Sequence, residues 1–158
     1  MKILVVSDSH GALNLLNKVL EIEYDSDVNI HLGDSELPEY LLSRFCAIRG
    51  NCDYNDLPLT KDIVLDDFKI HLEHGNGYLF NFYKEDYIKN LNCDIFLFGH
   101  THRKLAKKID DTYIFNPGSL TRPRDGEYGS YLILNLLPDK KLSYEFKLIK
   151  GDKFKEFL

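Results

Sequence analysis

Four of the chain's six histidines fall in a series of five short blocks: Asp8-Ser9-His10, Gly33-Asp34, Gly50-Asn51-Cys52-Asp53, His74-Gly75 and Gly99-His100-Thr101-His102. Carboxylate, carboxamide and imidazole groups are the oxygen and nitrogen ligands of divalent cations such as Mn, Fe, Zn, Co and Ni. One Asp-x-His pair could chelate an ion, but alone it is an ordinary polar loop. Five ligand-bearing blocks, each closing an apolar run, are a different matter. His100 and His102 lie two apart after a glycine, so an extended backbone would send their rings to opposite sides, unlike the same-face pair of a helical H-E-x-x-H. Each ring would then serve a different ion, which favours two metals over one. Asp34 is the better bridge, because a carboxylate can span two cations while the neutral amide of Asn51 suits a terminal position. His74 supplies a further imidazole.

The elements that must position these blocks read clearly in the first half. Lys2 to Val6 is a continuous β-branched run, followed by a polar turn and then Leu13, Leu16, Val19 and Leu20 at helical spacing. Val28 to Leu32 is a second strand ending at Gly33-Asp34. Pro38 suits the first turn of a helix carrying Tyr40, Leu41 and Leu42, and Phe45 to Ile48 is a short third strand. Strands alternating with helices predict parallel pairing in an α/β sheet. Asp62 to Leu65 and Phe68 to Leu72, separated by Asp66-Asp67, predict a hairpin. Phe80, Tyr83, Tyr87, Ile88 and Leu91 recur at helical spacing, and Asp94 to Phe98 resumes a buried strand. The last third, with Leu105 to Ile109, Thr112 to Phe115, Ser130 to Leu136 and Leu142 to Ile149, reads as one antiparallel meander.

A length of 158 residues fits one domain spanning 1–158, long enough to bury a core without disulfides. The formal charge of −5 and the lack of a Lys/Arg-rich block argue against a general nucleic-acid binder. Cys46, Cys52 and Cys93 are odd in number and lack CxxC spacing, so neither a disulfide framework nor a structural zinc site is expected. No apolar run approaches membrane-spanning length, and the apolar start is too short for a signal peptide. A soluble cytoplasmic protein with no membrane partner is the expectation.

In order, DxH, GD, GN(H/C)D, H and GHxH resemble the motifs of the calcineurin-like metallophosphoesterases, and the likeness covers nearly the whole chain. The small size, the GNCD form, and Asn116-Pro117-Gly118-Ser119 followed by Arg122-Pro123-Arg124 resemble the small bacterial and archaeal phosphodiesterases of the YfcE/MJ0936 type. The resemblance implies a four-layer α/β/β/α sandwich of two mixed sheets flanked by helices. It also implies a dinuclear metal centre, with Asp8, His10 and His102 on one ion, Asn51, His74 and His100 on the other, and Asp34 bridging. Mn is the expected metal, with Ni, Fe, Zn or Co as alternatives. A water held between the ions would attack a small phosphodiester in line, and Asp34, Asn51, Cys52 and Asp53 are the expected catalytic set.

Cys52 departs from the wider superfamily, whose histidine at this position is credited with contacting the phosphate or protonating the leaving group. A thiol is a weaker hydrogen-bond donor and a different acid. Asn76 stands where many close relatives carry histidine; it reads as a turn former beside Gly75 and Gly77, with a substrate contact as the alternative. Arg122, able to clamp an anion, is placed toward substrate ahead of Arg124. His31 and His71, inside apolar strand runs, read as packed or supporting histidines, and Cys46 and Cys93 as small core residues. The rival to a phosphoesterase is a scaffold like the retromer subunit of this fold, favoured by lost ligands, and none is lost. A nuclease would want a basic or aromatic surface. Because relatives assemble, a homo-oligomer is an open expectation.

Overall fold

A strand covered on both faces can be an unbroken apolar run, and β1 (Lys2–Val6) is one. Ile3 and Val5 point into the core between two sheets, while Leu4 and Val6 point to the other side, under helix α1 (Leu13–Ile22). The computed structural model describes residues 1–150, and of residues 78–83 the backbone alone.

After α1 come β2 (Val28–His31), a four-residue 3-10 turn at Glu39–Leu42, and β3 (Cys46–Ala47). Pro38 caps that turn in extended conformation, so the helix expected there is a single tight turn. Then follow β4 (Thr60–Leu65), β5 (Phe68–Glu73), helix α2 (Tyr78–Leu91), β6 (Ile95–Leu97), β7 (Lys104–Ile109), β8 (Thr112–Pro117), β9 (Gly129–Leu137) and β10 (Lys141–Ile149). The first sheet runs β10-β9-β1-β2-β3, with β1, β2 and β3 parallel; the second runs β4-β5-β6-β8-β7, with β5, β6 and β8 parallel. The hairpin expected around Asp66-Asp67 is β4–β5, paired antiparallel with Leu65 opposite Phe68.

Three apolar clusters fill the three interfaces of four layers. Ile3, Val5, Ile30 and Leu132 meet Ile70, Leu72, Ile95 and Phe115 between the sheets. Leu16, Val19 and Leu20 of α1 cover Leu4, Val6 and Ile133 on the outside of the first sheet. Ile88 of α2, with Tyr87 and Leu91, covers Phe96, Phe98 and Ile114 on the outside of the second. The side chains of Phe80 and Tyr83 lie outside the described residues. The α/β/β/α order is therefore the one the resemblance implies.

The last third differs from a single meander. β7–β8 and β9–β10 are each antiparallel hairpins, but they lie in different sheets. The Pro/Gly/Arg loop between β8 and β9 crosses from one sheet to the other. Alternating apolar residues report that a strand has a buried face, but they do not report which sheet supplies its hydrogen-bonding neighbour.

Candidate metal centre

All five blocks sit just beyond the C-terminal ends of parallel strands: β1, β2 and β3 of the first sheet, β5 and β6 of the second. Strand ends in an α/β sheet offer loops of free direction over a rigid base, which is why sites form there. Here two sheets face one another, so one site draws on ten strands' worth of support. Backbone hydrogen bonds stitch the loops together: Asp8 N donates to Gly33 O at 3.0 Å, His10 N to Asp34 O at 3.0 Å, and Gly99 N to His74 O at 3.0 Å. Gly33, at φ +98°, leaves no room for a side chain; a Cβ there would lie 2.7 Å from Gly50 N and 2.8 Å from His74 Nδ1.

The side chains gather into two groups, Asp8 with His10 and His102, and Asp34 with His74 and His100, each with its ligand atoms within 4.8 Å of one another. His100 and His102 go to different groups, as expected, but not by way of extended backbone. Both are left-handed, at φ +69° and +58°, as are Asp8, His10 and Asp34. Non-glycine residues in this region are strained by on the order of 1–3 kcal/mol each, and persist where the surroundings over-determine them.

The imidazoles are held in one orientation. His74 Nδ1–H donates to Leu32 O at 2.8 Å and His102 Nδ1–H to Arg122 O at 2.8 Å, while His10 Nδ1 lies 2.6 Å from Glu36 Oε1. Each therefore turns Nε2 inward, the arrangement by which histidine ligands are oriented from behind. Asp8 is oriented as well: its Oδ2 accepts from Ser7 Oγ at 2.6 Å and from His100 N at 3.0 Å. Its Oδ1 is buried without a hydrogen-bond partner, and so is His74 Nε2. Asp8 Oδ1 lies 3.1 Å from His102 Nε2, 3.8 Å from His74 Nε2 and 3.9 Å from His10 Nε2. His74 Nε2 also faces Asp34 Oδ2 at 3.1 Å.

Electron-rich atoms placed so need positive charge between them, and a divalent cation meets that need with these donors. The residues present therefore fit a metal. Burial disfavours the His74 imidazolium, but Asp34 and Asp8 raise its pKa above the ordinary 6.5. Burial likewise opposes ionisation of Asp34, but His74 and the Cys52 amide hold its carboxyl down to about 2, with His10 contributing from the other group. Asp8 is lowered too, by His102 and His74, against its burial. Burial and the neighbouring His74 lower His100.

The remaining site candidates stand around these groups. Asn51 is exposed, its amide 3.5 Å from Cys52 Sγ, on the turn where Cys52 N donates to Asp34 Oδ1 at 2.8 Å. The Cys52 thiol is exposed, yet partial loss of hydration and then the neighbouring carboxylates Asp34, Glu36 and Asp53 push its pKa up. The Asp53 carboxylate is occupied by backbone: Asp34 N at 2.8 Å, Gly50 N at 2.7 Å and Glu36 N at 2.7 Å. It clamps two loops together. Arg122 and Asn76 are exposed, and the Arg122 carbonyl holds His102. His31 is fully buried, accepting from Gly33 N at Nδ1 and bonding Ser9 Oγ through Nε2; burial drops its pKa to about 4, so it is neutral. His71 lies under α2 between Asp62 and Glu73. Glu36, Ser7 and Ser119 were not foreseen as supports; Ser119 Oγ donates to Asp8 O at 2.8 Å. The two-residue spacing of Glu36 from Asp34 was the available signal.

A two-sheet sandwich with paired carboxylate–imidazole groups at its strand ends is the architecture of a metal-dependent phosphoester hydrolase, and similarity to known proteins gives that class. The chain belongs to the calcineurin-like phosphoesterases: residues 1–138 match the Calcineurin-like phosphoesterase superfamily domain. It is 32% identical over 148 residues to the probable metallophosphoesterase YsnB of Bacillus subtilis, covering 88% of this chain and 86% of that one. It is 31% identical over 142 residues to phosphodiesterase MJ0936 of Methanocaldococcus jannaschii, covering 75% and 83%. A predicted phosphoesterase from Streptococcus pneumoniae superposes with a TM-score of 0.82 at 30% identity, over 93% of this chain and 88% of that one.

Proposed function

We propose that the protein is a dinuclear-metal-dependent phosphodiesterase acting on a small phosphodiester. The observation that carries this is the pair of orphaned buried atoms, Asp8 Oδ1 and His74 Nε2, each aimed into the gap between the two ligand groups. In this reading Asp8, His10 and His102 would hold one ion, His74 and His100 with Asn51 would hold the other, and Asp34 would serve both. Two divalent ions held there, Mn by preference, would supply water activation and charge neutralisation at the phosphoryl oxygens.

The chain's own residues prepare that site. Leu32 O, Arg122 O and Glu36 fix the imidazole orientations, so no ring must turn when substrate arrives. Asp53 holds the Asp34 loop against the Gly50 turn. Cys52 presents a protonated thiol at the open side, a weak donor to a departing alkoxide. Esters with good leaving groups are therefore handled best. A reducing, cytoplasmic setting is part of the proposal, in keeping with three unpaired cysteines.

The test is metal analysis of the purified protein coupled to hydrolysis of bis(4-nitrophenyl) phosphate with added Mn. Bound metal near two equivalents and turnover that Asp34→Asn abolishes are expected. Two bound ions with no hydrolysis of any mono- or diester would overturn the reading in favour of a metal-binding scaffold.

A further inference from the structure

The rim of the metal centre is electrostatically divided. On one side the segment between β2 and β4 exposes Glu36 and Asp56, with Asp53 behind them. On the other, three of the chain's five arginines (Arg44, Arg49, Arg103, Arg122 and Arg124) belong to the two segments whose backbone meets one ligand, His102. Arg103 follows it directly. Arg122 accepts its Nδ1–H through the backbone carbonyl at 2.8 Å, and Arg124 N donates to its carbonyl at 2.9 Å. All three side chains are exposed, and among the described residues none makes an ion pair. The nearest carboxylate in the same loop, Asp125, is already matched: it accepts from Lys104 N at 2.6 Å and pairs with Lys104 Nζ at 3.0 Å. In a chain of net charge −5, three exposed arginines are thus carried by segments fastened to a candidate metal ligand, with Glu127 the one further acidic residue of that loop.

Guanidinium is the side chain whose planar fork matches phosphate oxygens two at a time. We propose that Arg103, Arg122 and Arg124 form a subsite for a second phosphate group, so that the favoured substrates are phosphodiesters bearing an additional phosphate on one ester arm. This rests on the hydrolase reading and names its substrate class. The acidic side repels that phosphate, so the divided rim fixes which arm points where. The phosphate-bearing arm lies toward residues 103–124, the uncharged arm toward residues 36–56.

The test compares two diesters with the same leaving group on the Mn-loaded protein: thymidine 5'-(4-nitrophenyl phosphate) with and without a 3'-phosphate. The 3'-phosphorylated ester should show roughly tenfold higher kcat/KM, as charge-assisted arginine–phosphate bonds imply, with the advantage shrinking as salt rises. The double variant Arg122→Gln/Arg124→Gln should reduce the ratio to within about twofold, and Arg103→Gln on the other segment should reduce it independently. Equal kcat/KM for the two esters, or a preference that survives these substitutions, overturns the subsite. If neither ester is cleaved, the hydrolase reading fails and calorimetry judges the subsite alone. Thymidine 3',5'-bisphosphate binding roughly tenfold tighter than thymidine 5'-monophosphate, with the difference lost in the double variant, supports it; equal affinities overturn it.

Discussion

At Asp8 the two carboxylate oxygens have different tasks. Oδ2 is tied down by Ser7 Oγ and His100 N, which leaves Oδ1 fixed, buried and free to meet three imidazole nitrogens. That division could not be read from the Asp-x-His spacing, because one of its two determinants, His100 N, is 92 residues away in sequence. Cys52 was legible, since its identity alone announces a different acid. Its thiol is held protonated but donates poorly, so Cys52→His should raise kcat/KM on esters of poor leaving groups by about tenfold or more, within the usual range for a general acid. Rates on good leaving groups should change little. Comparing alkyl and 4-nitrophenyl diesters measures this; an unchanged or lower rate on the alkyl ester with metal still bound would refute it. Asp53 shows the reverse case, a residue placed by its motif among the catalytic set whose carboxylate is spent on three backbone amides.

At the scale of elements, the strand ends do the positioning and the helices hold the strands. α1 is fastened at its C-terminal end by Glu23, which is 2% exposed and accepts from Tyr131 Oη at 2.8 Å of β9 and Lys147 Nζ at 2.7 Å of β10, with Lys2 Nζ of β1 at 2.9 Å. Burial works against ionisation, but Lys147, Lys2 and Tyr131 bring its carboxyl from 4.5 down to about 2. The folded state thus binds fewer protons than the unfolded chain below pH 4.5. The stabilisation is complete above that value and is lost as pH falls through about 2. Glu23→Gln should cost about 2 kcal/mol near neutral pH, and urea unfolding should show the deficit shrinking toward pH 3. A deficit independent of pH would exclude the ionised network as its source. The β8–β9 connection is the element-level surprise: each hairpin was visible in its turn residues, but strand partnership is a long-range choice that local pattern does not encode.

At the scale of the whole molecule, the site exists only because two sheets are pressed face to face. Asp8, His10 and Asp34 come from the first sheet, His74, His100 and His102 from the second, and the shared core of Ile3, Val5, Ile70 and Leu72 sets their separation. Metal binding is then coupled to the fold itself. At an Mn concentration one-hundredfold above Kd the stabilisation is about 2.7 kcal/mol, so Tm should rise by roughly 5–10 °C in a thermal melt and fall back on chelation. Asp8→Asn should abolish most of that response, and an Mn-independent Tm would rule out a built ion site. By itself the sequence determined the donor atoms, their order and the strands that carry them, because ligand chemistry and hydrophobic period are properties of single residues and their near neighbours. Only the tertiary structure decided how the left-handed backbone at His100 and His102 divides the ligands and which oxygen of Asp8 is left bare. It alone placed the arginines, and it alone decided that the last two hairpins part company. Each of these depends on groups brought together from distant sequence by burial of a common core.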